Sequence, residues 1–246
     1  MALPFVLSNG REFKSQKAAK EHFREILRAY ENGRVITDPS HHDDLVALLE
    51  RYDNAVTDTS SKIGTGIDHF ERRINPGSGY STPGFWVVRT DASSTDFSFY
   101  TGVEGKPKRR SYEFADACRA AVADDLKAAK KRHFQLHGDQ SGHVLCDITD
   151  EPVSFDEAQL DHAYPTFGVM VVMFRAANGW HDEIPASVLT VGQDQQTTTT
   201  FADPAIAGQF RDFHHRGARL RVISAGRNLA MASGQRAPKI KRPVPI

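Results

Sequence analysis

The sequence predicts an α+β protein in two domains, a small α+β domain at the N-terminus followed by a larger, helix-rich one. Three observations carry this expectation. Apolar residues recur at helical spacing in two early runs and then give way to short strand-like runs. A basic, proline-bearing stretch, Gly105 to Arg110, interrupts the pattern as a linker. Beyond it a long amphipathic helix opens a second series of elements with apolar residues of its own. The expected division is 1–105, 106–235 and a basic flexible tail at 236–246.

The first helix has a readable start and stop. Ser15 is its N-cap, Ala19, Phe23, Ile26, Leu27 and Tyr30 share one face, and Gly33 ends it. A second helix follows Asp38-Pro39 and buries Leu45, Leu48, Leu49 and Tyr52. After the glycine-bearing Lys62-Ile63-Gly64-Thr65-Gly66-Ile67 come two strand-like runs, Phe85 to Arg89 and Asp96 to Tyr100, joined by a polar turn at Asp91 to Thr95. In the second domain Phe114, Cys118, Ala121, Val122, Leu126 and Ala129 mark a helix reaching about Phe134. Val144 to Ile148 and Val153 to Phe155 suit a hairpin or turn, and Gln159 to Ala163 extends. Phe167, Met170, Val171 and Phe174 give a short helix closed by Asn178-Gly179, and Gln193 to Thr200 reads as an exposed polar loop. Asp203 caps a further helix, with Pro204 in its first turn, Ile206, Phe210 and Phe213 on one face, and Gly217 after its end. Leu220 to Ile223 is a short strand, and Asn228 starts or enters a final helix.

The formal net charge is zero, with 39% hydrophobic and 25% charged residues, so bulk charge predicts no affinity for nucleic acid. Its distribution points the other way. Lys106, Lys108, Arg109, Arg110, Arg119, Lys127, Lys130, Lys131 and Arg132 crowd one stretch, and Arg211, Arg216, Arg219, Arg221, Arg227, Arg236, Lys239, Lys241 and Arg242 crowd the end. Two cysteines, Cys118 and Cys146, are too few for a disulfide framework or a cysteine-rich zinc knuckle. No run approaches membrane-spanning length and the start lacks a signal-peptide pattern, so a cytoplasmic setting and no membrane partner are expected.

Asp161-His162 pairs a hard metal ligand with a general base. Phosphodiester hydrolysis needs an activated water, neutralised phosphate charge and a stabilised leaving oxygen. One Mg²⁺ held by a carboxylate and an amide oxygen serves the last two, and a neutral imidazole with a pKa of roughly 6.5 accepts the proton. Asp161, Asn228 and His162 offer that set. In an extended strand Asp161 and His162 point to opposite faces, so a shared phosphate requires the strand to end there, as Tyr164-Pro165 favours. Alternation on the later strand turns Leu220 and Val222 inward and Arg219 and Arg221 outward, toward backbone phosphates.

Cys146-Asp147-Ile148-Thr149, Gln159-Leu160-Asp161-His162, Pro165-Thr166-Phe167, Phe174, Phe210 to His214, Ala218 to Val222 and Asn228-Leu229 together resemble the HNH endonucleases of the ββα-metal class, here with extra helices. The resemblance implies that Asp161 and Asn228 hold Mg²⁺ (or Mn²⁺), that His162 is the general base, and that His214 takes the middle position, orienting the site or touching phosphate. The paired cysteines of commoner members are missing, so no structural zinc is expected. Arg11 to Phe13, Ala19-Lys20, Phe23, Ile26-Leu27, the Leu45 to Tyr52 run, Lys62 to Ile67, Phe70, Phe85 to Arg89 and Asp96 to Phe99 are similar to the DCL domain, named for a plant "defective chloroplasts and leaves" protein. That resemblance implies nucleic-acid or ribonucleoprotein engagement without catalytic residues, with Lys62 and Arg89 as binding cations. Family members often carry His at Tyr52 and Asp-Gly at Asp91-Ala92. The expectation is an endonuclease acting on DNA rather than RNA, for instance in restriction of foreign or modified DNA. A non-catalytic nucleic-acid-binding protein and an RNA-processing nuclease remain as alternatives, and the sequence leaves open whether two copies act as a homodimer.

Overall fold

The computed structural model describes residues 4–57, 59–76, 81–230 and 239–246. The fold is α+β, and the chain divides into two compact units, residues 1–112 with 191–199, and 113–190 with 200–246. The segment 191–199, expected to be part of an exposed loop of the second domain, belongs to the first unit.

The first unit begins with a small pair of strands, β1 (Phe5–Val6) and β2 (Glu12–Phe13). Helix α1 (Gln16–Ala29) follows, and the Ser15 hydroxyl accepts from the Ala18 N–H at 3.2 Å, satisfying a donor that the helix cannot. It stops at Ala29, before Gly33, because Tyr30 is already extended. After β3 (Arg34–Val35), Asp38 caps α2 (Pro39–Ala55) by accepting from Ser40 N–H, and Pro39 occupies the first turn, where its missing N–H costs nothing.

Strands β4 (Ile67–Pro76), β5 (Ser81–Arg89) and β6 (Ser94–Phe97) join β3 in one antiparallel sheet of order β3-β4-β5-β6. The sequence reading leaves β4 without an element. Its apolar residues Ile67, Phe70 and Ile74 do not alternate, and a register shift between Ile67 and His69 disturbs the period further. The second strand expected at Asp96 to Tyr100 ends at Phe97. Ser98 instead caps α3 (Phe99–Glu104), its hydroxyl accepting from Thr101 N–H at 3.3 Å, and Gly105 closes that helix at φ +61°. Phe23, Phe70, Phe85 and Phe97 join Leu45, Leu48 and Leu49 in a core between sheet and helices.

The second unit is organised around α4 (Arg110–His137), whose first residues still belong to the first unit. Phe114, Cys118 and Val122 on one stretch of it meet Phe174, Phe201 and Phe210, while Ala129 belongs to a second cluster with Cys146, Met170 and Val222. The expected hairpin is present in short form, β7 (Val144–Leu145) against β8 (Pro152–Val153). Strand β9 (Ala158–His162) precedes α5 (Phe167–Ala177), capped by the Thr166 hydroxyl, and a single 3-10 turn at Ala186–Val188. Helix α6 (Pro204–Gly217) is capped by Asp203. Strand β10 (Leu220–Ser224) then pairs antiparallel with β9, and α7 (Ala225–Ala230) follows directly.

Residues 236–238 of the expected tail lie outside the described residues. Residues 239–246 depart from the flexible-tail expectation: Val244 is buried, its N–H donates to Leu220 O at 2.9 Å, and it belongs to the same cluster as Leu220. Among the described residues no helix is long and apolar enough to cross a membrane.

Candidate functional site

Two histidines meet at the end of β9. His162 is its last residue, and His214 lies in the last turn of α6, four positions after Phe210 and so on the same inward stripe. Their Nε2 atoms stand 2.8 Å apart, a hydrogen-bond distance. Phe167 lies 5.3 Å from the His162 ring and Phe210 lies 6.1 Å from His214, giving the pair aromatic walls. The Arg119 guanidinium sits 5.0 Å over Phe167. His162 is 8% exposed and His214 is 0% exposed, so His162 is the member that reaches the surface. Burial, helped by the like charge of His215 and opposed by Asp125, pushes His214 down to about 4. His214 is therefore neutral at physiological pH.

That difference has a chemical consequence. A neutral imidazole accepts at one ring nitrogen, so His214 Nε2 can take the N–H of His162. His214 is fully buried, and its Nε2 meets His162.

Asp161 points elsewhere. Its register partner on β10 is Arg221, and Asp161 Oδ2 accepts from Arg221 Nε at 3.0 Å, both side chains buried. Arg221 Nη1 lies 3.8 Å from Asp147 Oδ2 and donates to Lys239 O at 3.2 Å. Asp147 Oδ1 accepts from the N–H groups of Lys241 at 2.9 Å and Arg242 at 2.6 Å. The expectation that Arg221 faces phosphate is corrected here. Alternation did turn it away from Leu220 and Val222, but residues 239–242 and two buried carboxylates cover that side of the strand. Arg219, just ahead of β10, is exposed as expected, and its carbonyl accepts from Ala163 N–H at 2.9 Å.

β9 does end at His162, yet the ending does not unite the pair. His162 aligns with Leu220 and bonds His214, whereas Asp161 aligns with Arg221. Asn228 in α7 donates from Nδ2 to Gln159 Oε1, and Gln159 shares a strand face with Asp161. The structure therefore brings Asp161 and Asn228 to one face of β9 and His162 to the other.

The Mg²⁺ that the nuclease resemblance implies does not fit these residues as they stand. The Asp161 carboxylate is engaged by a guanidinium, Asn228 is bonded to a glutamine, and no group of three or more His, Cys, Asp or Glu side chains among the described residues is arranged to hold a metal ion.

Lys62 and Arg89, expected as binding cations, are buried in the first unit. Arg89 Nη1 donates to Asp194 Oδ2 at 2.7 Å, and Lys62 Nζ donates to Thr95 Oγ1 at 2.9 Å, with Asp194 Oδ1 at 3.7 Å. Sequence reasoning placed Asp147 in the Cys146 to Thr149 run and Asp194 in the polar loop from Gln193, but gave neither a partner or a role. Both are acids whose cationic partners lie far along the chain, and no local pattern marks an acid as buried or paired.

A protein family of unknown function (DUF3223) matches residues 24–103, wholly within the first unit. A solution NMR structure of an uncharacterised protein from Rhodospirillum rubrum is 31% identical to this chain, with a TM-score of 0.34, over 42% of this chain and 89% of that one. No curated protein matches.

Proposed function

We propose that the second unit is a phosphodiester hydrolase of the HNH type acting on nucleic acid, DNA in the first instance, with the first unit positioning the polymer. The observation that carries this reading is the antiparallel pair β9–β10 followed at once by α7, a ββα order with His162 at the strand end and its Nε2 2.8 Å from a neutral His214. His162 takes the proton from the attacking water at Nδ1, while its Nε2–H donates to His214 Nε2 and holds the ring in place. Arg219, exposed beside the strand end, is the nearest match to a phosphate cation among the expected residues. Lys127, Lys131 and Arg132 extend an exposed basic stretch on α4. No step is assigned to a metal.

A second reading, a nucleic-acid-binding protein that keeps the nuclease scaffold without its chemistry, is favoured by one observation. The carboxylate of the proposed class's metal site is locked in a buried ion pair with Arg221.

Incubation of the full chain with supercoiled plasmid, in Mg²⁺, in Mn²⁺ and in EDTA at one stated salt concentration, decides between them. Nicked product is expected. The His162→Ala protein should cut at least about 100-fold more slowly, the lower end of what a general base contributes. Equal cutting by the variant removes His162 from the chemistry. Salt-sensitive binding with no product in any buffer establishes the second reading, and preference for RNA over duplex DNA redirects the first.

A further inference from the structure

In the first unit, two cations are buried side by side while their neutralising carboxylate comes from the surface. Lys62 is 8% exposed and Arg89 is 6% exposed, but the Asp194 side chain that bridges them is 40% exposed. Asp194 belongs to residues 191–199, which contain no helix or strand. In the same segment Gln195 donates from N–H to Thr95 Oγ1 at 3.3 Å and from Nε2 to Ser94 O at 3.3 Å.

The cations, by contrast, are seated by the unit's own framework. Arg89 Nε donates to Lys62 O at 3.0 Å and Nη1 to Ser93 Oγ at 3.1 Å. Lys62 N–H and Ile63 N–H both donate to Asp53. Gly64, at φ +52°, leaves the room that Arg89 needs: a Cβ there would stand 2.7 Å from Arg89 Nε. Asp96 also faces Lys62, and burial pushes its carboxyl up, weakening it as a counter-charge. The framework thus builds a rigid pair of donors plus the Thr95 hydroxyl, and a peripheral loop supplies the anion.

We propose that Lys62, Arg89 and Thr95 form an oxyanion site for phosphate, in which the Asp194 carboxylate is an internal stand-in that a phosphate group displaces. Two carboxylate oxygens reach the two cations as two phosphate oxygens would, Oδ2 to Arg89 and Oδ1 toward Lys62. A compact ammonium beside a guanidinium suits a phosphate oxyanion. The ligand is free phosphate or a phosphate of a nucleic-acid backbone. The site does not depend on the hydrolase reading, since it lies in the first unit.

The test uses the full chain with Asp194→Asn, which keeps the shape, removes the charge and puts an NH2 donor in place of one accepting oxygen. Binding of inorganic phosphate and of a short oligothymidylate is measured by calorimetry at one salt concentration. The variant is expected to bind at least one of them tenfold or more tightly than the wild type, and Lys62→Gln in the same background should erase the gain. A tighter oligothymidylate marks a polymer backbone as the source, and tighter inorganic phosphate marks the free ion. Unchanged affinity in Asp194→Asn overturns the site, as does a gain that survives Lys62→Gln. Should Asp194→Asn melt too early for calorimetry, its melting temperature is read with and without phosphate. A rise of several degrees that the wild type does not show supports the site, and no rise overturns it.

Discussion

His214 shows how much a single buried imidazole controls. Its ring has water on no side, and burial holds it neutral down to about pH 4, against an ordinary value of about 6.5. The unfolded chain therefore binds a proton that the folded chain refuses. Stability is complete above about pH 6.5 and falls as pH drops toward 4, by at most about 3 kcal/mol at about 1.4 kcal/mol per pH unit. Urea denaturation of the wild type and of His214→Phe at pH 7, 5.5 and 4.5 checks this. The wild type should lose more stability over that range than the variant, and parallel curves would show that His214 is not the group concerned. The same scale explains why Asp161-His162 misleads as a sequence motif. Adjacent strand residues diverge by geometry, and each found the partner that its own face offered, Arg221 on one side and His214 on the other.

At the scale of elements, caps and breaks were legible because their chemistry is local. Ser15, Asp38 and Asp203 each accept from a backbone N–H within three residues, and the sequence shows all three beside a helical pattern. Strand β4 was not legible, since its inward residues are few and a register shift breaks their period. Nor was the closing segment at 239–246, whose two prolines and basic residues look like a solvated tail. Its order comes from contacts made far away: Val244 bridges Leu220, and the backbone at Lys241 and Arg242 satisfies buried Asp147. Val244→Asp should therefore lower stability by about 2–4 kcal/mol, by lost apolar burial and an unpaired buried carboxylate, in equilibrium urea unfolding. A flexible tail would tolerate the change without effect.

For the whole molecule, the α+β class and the presence of two sets of apolar residues followed from periodicity alone. Each unit owns its core: Phe23, Phe70 and Phe85 serve the first, and Phe114, Phe174 and Phe210 the second. Calorimetry should accordingly resolve two transitions, with Phe70→Ala lowering one of them, at a cost of about 3–5 kcal/mol, and leaving the other in place. A single transition shifted as a whole would show that the cores unfold as one. What the sequence determined by itself is what acts over a few residues: helix periods, caps, turns, and which side chains possess metal-binding or base chemistry. What only the tertiary structure decided is which charges meet. Arg221 faces Asp161 and Asp147, and Lys62 and Arg89 face Asp194, because a charge can be buried only where an opposite charge or hydrogen-bonding partner arrives to offset desolvation. That partner is delivered by chain folding across long separations, and nothing in the neighbouring residues records it.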